Sequence, residues 1–319
     1  MLKAKPKAIS LVVPVYNEEK AIGRFLNRVQ PVLEQTACLL GDDADYEIVF
    51  VNDGSQDATA SLVAAIAERD NRVKLINLSR NFGKEAALAA GLQHANGDCV
   101  IPIDADLQDP PEIIPEMVSK WLAGAQVVNG VRNDRSADHW LKRSTASWFY
   151  RLYNRFAEIP IPENVGDFRL LDREVVDTLN EFPECSRVSK DLFSWVGFSS
   201  DTVEFRREAR SAGTGKWKYW SLWNLAIDGF TASTTVPLRI WTYVGGFFAL
   251  LSFAYAAYIV IKTLIFGVDT PGYASLITVM LFLGGLNLLS LGILGEYVGR
   301  ISSEVRRRPL FIVQSKIGF

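Results

Sequence analysis

Asp104-Ala105-Asp106-Leu107-Gln108 places two carboxylates and an amide on alternate positions directly after the apolar run Cys99-Val100-Ile101-Pro102-Ile103. Alternate side chains of an extended segment project to the same side, so Asp104, Asp106 and Gln108 are expected to converge. Hard oxygen donors of this kind suit Mg²⁺ or Mn²⁺, which leave part of their shell to water and phosphate oxygens. Asp-x-Asp by itself is a frequent loop sequence. Position raises it here: the preceding run reads as a buried parallel strand, and ligands of open α/β sheets collect beyond the carboxyl ends of such strands.

The elements that must hold these residues follow from periodicity. Apolar, β-branched runs at 9–15, 47–51, 73–78, 100–103 and 126–131 alternate with helical patterns at 18–33, 59–69 and 84–94. That alternation predicts βαβ units and an α/β fold with a mostly parallel sheet. Asn17 and Glu18 follow the first strand, Asn52-Asp53-Gly54-Ser55 the second, and Asp104 and Asp106 the fourth. Three polar clusters at one edge of one sheet make a pocket.

The chain has 319 residues, 49% of them hydrophobic, enough for one α/β core with material to spare. The surplus is C-terminal. Residues 240–261 and 270–295 contain no charge, and each run exceeds the roughly 20 residues that span a bilayer. A transmembrane hairpin is predicted, with spans at about 240–261 and 272–295. Arg206, Arg207, Arg210, Lys216, Lys218 and Arg239 precede it, and Arg300, Arg306, Arg307, Arg308 and Lys316 follow it. The positive-inside bias therefore predicts that both termini are cytoplasmic. Residues 201–319 hold 12 Lys/Arg against 7 Asp/Glu, so the acidic excess lies in residues 1–200. A basic C-terminal half facing anionic lipid fits this balance, and nucleic acid as a partner does not. Cys38, Cys99 and Cys185 lack metal-ligand spacing, and His94 and His139 stand far apart, which argues against zinc and for a reducing cytosol.

Pro14-Val15-Tyr16-Asn17-Glu18-Glu19, Asn52-Asp53-Gly54-Ser55, Asn81-Phe82-Gly83-Lys84 and Asp104-Ala105-Asp106-Leu107-Gln108-Asp109-Pro110-Pro111, in this order, resemble the family 2 glycosyltransferases of GT-A fold. Within that family the chain is similar to the polyisoprenyl-phosphate glycosyltransferases, the group of the bactoprenol glucosyltransferases and dolichyl-phosphate mannose synthase. The likeness runs into the C-terminal Gly295-Glu296-Tyr297-Val298-Gly299-Arg300.

That resemblance implies a GT-A catalytic domain over residues 1–235, a membrane hairpin over 236–299 and a cytoplasmic tail over 300–319. It implies nucleotide-sugar binding by Pro14, Tyr16, Glu18, Asp53, Lys84, Asp104 and Arg132. The metal would be held by Asp106 and Gln108 with Asp104 close by, and catalysis would draw on Asp104, Asp106, Asp167 and Arg169. An acceptor-only carboxylate at Asp53 suits the imide N–H of uracil. Asp167 falls where the family places a carboxylate near the acceptor. A general base is hardly required, since a phosphate monoester is mostly ionised above its second pKa of about 6.

Arg210 and Lys216 bracket small residues just before the first apolar run, an arrangement suited to clamping a lipid-borne phosphate. The family pattern more often reads Ser-Lys or Thr-Lys where this chain has Gly215-Lys216. The implied reaction is inverting, metal-dependent transfer of a sugar, glucose from UDP-glucose first, to undecaprenyl or another polyisoprenyl phosphate at a bacterial inner membrane. Mannose, galactose, N-acetylglucosamine or amino-arabinose are alternative sugars, and a non-catalytic nucleotide-binding scaffold is the alternative class. The resemblance also implies a homo-oligomer, a tetramer among the options. Residues 140–156 and the Trp217, Trp220, Trp223 series read as interfacial helices. The tail after Val305, basic then apolar, is expected to dock on a neighbouring subunit.

Overall fold

The computed structural model describes residues 8–41, 44–132, 165–182, 195–206, 236–266 and 272–319. Arg210, Lys216, the helix expected over 140–156 and the tryptophan series lie outside the described residues, as do His139 and Cys185.

The described chain runs β1 (Ala8–Val15), α1 (Ile22–Leu40), β2 (Asp45–Asn52), α2 (Thr59–Ala67), β3 (Val73–Leu78), α3 (Lys84–His94), β4 (Cys99–Pro102), α4 (Ile114–Leu122), β5 (Val127–Arg132), β6 (Val165–Asp172), α5 (Arg173–Glu181), β7 (Ser200–Phe205), α6 (Val236–Phe266), α7 (Tyr273–Val305) and β8 (Val313–Ile317). The strands form one eight-stranded sheet of order β7-β5-β6-β4-β1-β2-β3-β8. β1 pairs in parallel with β2 and β4, and β2 with β3; β6 and β8 run antiparallel to their neighbours. The expected strand pattern and mostly parallel sheet are therefore present. β1 is buried along nearly its whole length, as a parallel strand covered on both faces must be, which is why its sequence is apolar except at Ser10 rather than alternating.

Helices cover both faces. On α1, Ile22, Phe25, Leu26, Val29 and Leu33 recur at helical spacing and enter one core with Ile9, Leu11, Val13 and Phe50. Met117, Val118 and Trp121 of α4 join the same core. The opposite face packs Leu88 and Leu92 of α3 and Val175, Val176 and Leu179 of α5 against Val12, Val100 and Leu171. α3 is rich in alanine because it lies tight on the sheet: a Cβ on Gly91 would come within 2.2 Å of Val12 Cγ1. Asp172 ends β6 and starts α5, accepting the Glu174 N–H at 2.9 Å as an N-cap and the Trp121 indole N–H at 2.6 Å.

The protein divides into two compact units. One holds the sheet with α1–α5; the other holds α6 and α7. α6 and α7 touch each other through Phe248 and Phe282, whose ring centroids are 5.6 Å apart. Within α7 the stretch Phe282–Gly299 is long and apolar enough to cross a membrane by length and composition.

The tail contributes a strand to the sheet: β8 pairs antiparallel with β3, placing Leu75 opposite Ile317 and Leu78 opposite Val313. The physical reason is that β3 would otherwise be an open edge, with a row of unpaired amides and carbonyls.

Candidate active site

The chain passes from β1 outward to β2 and β3, then returns to lay β4 on the other side of β1. At such a reversal the loops after adjacent strands diverge and leave a crevice. Here it is a cavity of about 280 Å³, bordered after β1 by Tyr16 and Glu18, after β2 by Asp53, after β3 by Asn81, Gly83 and Lys84, and after β4 by Asp104 and Asp106. Pro14, Val15, Ala87 and Ala105 complete the wall.

The loops after β1 and β2 are stitched together. The Asn17 N–H donates to Ser55 Oγ at 2.9 Å, the Gln56 N–H to Asn17 Oδ1 at 2.8 Å, and the Glu18 N–H to Thr59 Oγ1 at 2.9 Å. Asn17 takes a positive φ of 56° to do so, a conformation asparagine tolerates better than most residues. The Tyr16 ring, 45% exposed, stands beside the cavity and offers a face on which a base can stack.

Asp53 is 4% exposed. One of its oxygens accepts the Phe82 N–H at 2.7 Å and the other the Gly83 N–H at 2.9 Å. Its first structural task is thus to hold the loop after β3, while the unused lone pairs of a carboxylate remain able to accept from a ligand. Gly54, at φ +69°, lets that loop approach: a Cβ there would lie 2.6 Å from the carbonyl carbon of Arg80 and from the nitrogen of Asn81.

Lys84 opens α3 behind Gly83, and its ammonium joins two carboxylates from distant strands. Nζ lies 2.7 Å from Asp104 Oδ1 and 2.8 Å from Asp167 Oδ2. Desolvation pulls the lysine down, but Asp104 and then Asp167 outweigh it, so the ammonium is held above its ordinary value. The first turn of α3 also presents its N-terminus to the cavity, a favourable place for phosphate oxygens.

The Asp104–Gln108 segment departs from the alternation expected of it. β4 ends at Pro102, and the chain turns at Leu107, whose φ of 57° is unusual for a bulky residue. Asp106 Oδ1 accepts the Gln108 N–H at 3.1 Å across this turn. Asp104 and Asp106 both line the cavity, and Gln108 is not among its lining residues. Leu107 is buried, which holds the strained turn in place. Two carboxylates bordering one cavity fit a hard divalent cation that takes its other ligands from water and a diphosphate. Among the described residues no three His, Cys, Asp or Glu side chains group as a metal cage.

Arg169 and Arg132 do not line the cavity. Arg169 is 3% exposed and donates through Nη2 to the Gly166 carbonyl at 2.8 Å. Burial pushes its guanidinium down to about 10, against the pull of Asp167 and Glu85. It is thus a buried positive charge that interacts electrostatically with Asp167 and Glu85. Arg132 Nη2 lies 3.7 Å from Asp109 Oδ1, and a Cβ on Gly166 would meet that guanidinium at 3.0 Å. Sequence reasoning missed Asp109, which is buried, and the cavity contributions of Asn81 and Gly83; the Phe82-Gly83-Lys84 step into a helix was the available signal.

An exposed aromatic ring, a helix N-terminus and two carboxylates border one cavity at the ends of the parallel strands of an α/β fold. The chain belongs to glycosyl transferase family 2: the family's model matches residues 10–179, and that of the GtrB C-terminal hairpin matches residues 236–301. It is 52% identical over 306 residues to the SfII prophage-derived bactoprenol glucosyl transferase of Shigella flexneri, covering 96% of this chain and 97% of that one. It is 49% identical over 306 residues to the prophage bactoprenol glucosyl transferase homolog of Escherichia coli, covering 96% and 98%. Among solved structures, glucosyl-3-phosphoglycerate synthase from Mycobacterium tuberculosis, crystallised with Mn²⁺, UDP and phosphoglyceric acid, superposes with a TM-score of 0.47 at 20% identity over 70% of this chain and 76% of that one. The protein is a glycosyltransferase.

Proposed function

We propose that this glycosyltransferase moves glucose from UDP-glucose to a polyisoprenyl phosphate, undecaprenyl phosphate first, giving a polyisoprenyl-phosphoryl sugar and UDP. The observation that carries the reading is the pairing of Lys84, which lines the cavity at the strand ends with Asp104, to both Asp104 and Asp167, in a chain about half identical over nearly its whole length to bactoprenol glucosyl transferases.

Tyr16 stacks the base, and Asp53 keeps the Asn81–Gly83 backbone against it. Asp104 and Asp106 would hold Mg²⁺ or Mn²⁺, with Gln108 as a further donor, and that cation would neutralise charge on the leaving diphosphate. Lys84 shifts part of its pairing from the carboxylates to the diphosphate oxygens as the donor enters, leaving Asp167 to orient the acceptor. The acceptor phosphate is already ionised, so placement in line with the leaving group, not proton removal, supplies most of the rate. Arg169 steadies Asp167 electrostatically, and Arg132 acts through Asp109. Arg210 and Lys216, by their position in sequence before the hairpin, meet the lipid phosphate. α6 and α7 anchor the protein in the cytoplasmic membrane as two spans with both termini inside, and a homo-oligomer is the proposed assembly.

The test is transfer of radiolabel from a panel of nucleotide sugars to undecaprenyl phosphate by protein purified in detergent, with Mg²⁺, Mn²⁺ or chelator. Metal-dependent label in the lipid fraction from UDP-glucose alone is the expected result. Label from another donor would replace the sugar and keep the chemistry. Nucleotide binding without lipid label from any donor would favour a scaffold.

A further inference from the structure

The chain leaves the sheet after β7, forms α6 and α7, and then returns to lay β8 along β3. This returning strand is fastened along its length. At its far end a Cβ on Gly318 would lie 2.9 Å from the Val73 carbonyl oxygen, and the Phe319 ring sits 5.1 Å from Lys74 Nζ. At its near end Phe311 and Val313 pack on the cluster of Val49, Val51, Ile76 and Leu78 that also receives Phe82. The Ser79 N–H donates to the Ile312 carbonyl at 2.9 Å.

Those contacts bear on the loop over residues 79–83. That loop supplies Asn81 and Gly83 to the cavity and donates the Phe82 and Gly83 amides to Asp53. It is held from one side by Asp53 and Gly54 and from the other by the entry to β8. A second route runs through side chains: Asn77 Nδ2 donates to Ser315 Oγ at 3.0 Å, Asn52 Nδ2 to Asn77 Oδ1 at 2.9 Å, and the Ser55 N–H to Asn52 Oδ1 at 3.0 Å. Asn52 immediately precedes Asp53.

We infer that β8 is a positioning element of the nucleotide pocket: Phe311, Ile312 and Ser315 set the placement of the 79–83 loop and of Asp53, and thereby the affinity for the nucleoside diphosphate. The inference rests on the nucleotide reading of the cavity. It also means that the segment joined to the end of α7 is part of the support of the donor site, so that displacement of the tail is transmitted to nucleotide affinity.

The test uses the full-length protein in detergent with UDP as the probe, comparing wild type with Phe311→Ala, Phe311→Leu and Ser315→Ala. Phe311→Ala is expected to weaken UDP binding about tenfold, with kcat at saturating nucleotide sugar within about twofold of wild type, since the reacting groups are untouched. Phe311→Leu restores most of the affinity, and Ser315→Ala costs about threefold. Hydrogen exchange gives an independent readout: the Ser79, Phe82 and Gly83 amides exchange faster in Phe311→Ala while those of Leu11, Val12 and Val13 do not. Unchanged exchange at the three loop amides overturns the inference, and so does faster exchange with unaltered UDP affinity. A wild-type protein that binds no UDP would count against the proposed donor, and the loop exchange would then decide the positioning claim by itself.

Discussion

Lys84 Nζ lies 2.8 Å from Asp167 Oδ2, joining the first residue of α3 to β6 across 83 positions of sequence. The same ammonium binds Asp104, so Asp167 is tied through one cation to the cavity that Lys84 and Asp104 line. Two carboxylates this close would repel each other without the lysine. The arrangement is a charge store: incoming diphosphate oxygens compete for the cation that the carboxylates hold.

Replacing that cation with a neutral side chain should therefore affect chemistry more than folding. Lys84→Met is expected to lower kcat/KM about 10²–10³-fold, the usual scale for losing one preorganised electrostatic group. Lys84→Arg should recover part of it. Because Asp104 loses a competitor, Mn²⁺ affinity measured by titration calorimetry should stay level or rise; a large fall in Mn²⁺ affinity would contradict this account.

Asp53 accepts two amides through two different oxygens. Asp53→Asn keeps the size and removes one acceptor, setting an N–H₂ against an N–H. The expected cost is about 1–3 kcal/mol, seen as UDP affinity reduced at least about tenfold. Unchanged UDP affinity would remove Asp53 from the nucleotide site.

Gly54 sits at φ +69° against the backbone of Arg80 and Asn81. Gly54→Ala carries about 1–2 kcal/mol of left-handed strain plus the overlap at 2.6 Å. Denaturant midpoints should drop accordingly, with nucleotide affinity falling beyond what the stability loss explains because the loop is displaced.

The sheet carries a pH-sensitive group away from the site. Glu47 is buried; desolvation raises its pKa, but the Asn96 N–H, Lys74 and Ser10 together outweigh that and hold it below the ordinary 4.5. The unfolded chain then binds more protons between the folded value and 4.5, so stability from Glu47 is complete above about pH 4.5 and is lost as pH falls through the folded value. Glu47→Gln should lower the melting temperature at pH 7 and flatten its decline below pH 4.5. A mutant curve parallel to wild type throughout would contradict the assignment.

Chelation supplies the last test. Treatment with EDTA should abolish transfer and leave the melting temperature within a few degrees, because Asp104 retains Lys84 as a partner. Mg²⁺ or Mn²⁺ should restore activity, and Asp106→Ala should prevent the restoration.

Much of this was legible in one dimension. Strands β1 to β5 and helices α2 and α3 are local patterns: a run of β-branched apolar residues, or apolar positions at helical spacing, carries its own period. The parallel sheet follows from their alternation, and the polar residues after each strand must then lie along one edge. The motifs at Tyr16, Asp53, Lys84 and Asp104 could be read for the same reason, since each is contiguous. The tertiary structure decided what depends on pairing across long separations. It brought Asp167 to Lys84, buried the Arg169 guanidinium within electrostatic reach of Asp167, turned the chain at Leu107 so that strand alternation stops short of Gln108, and set β8 beside β3. None of these has a local period, because each depends on which distant strand or side chain compensates an open edge or a buried charge.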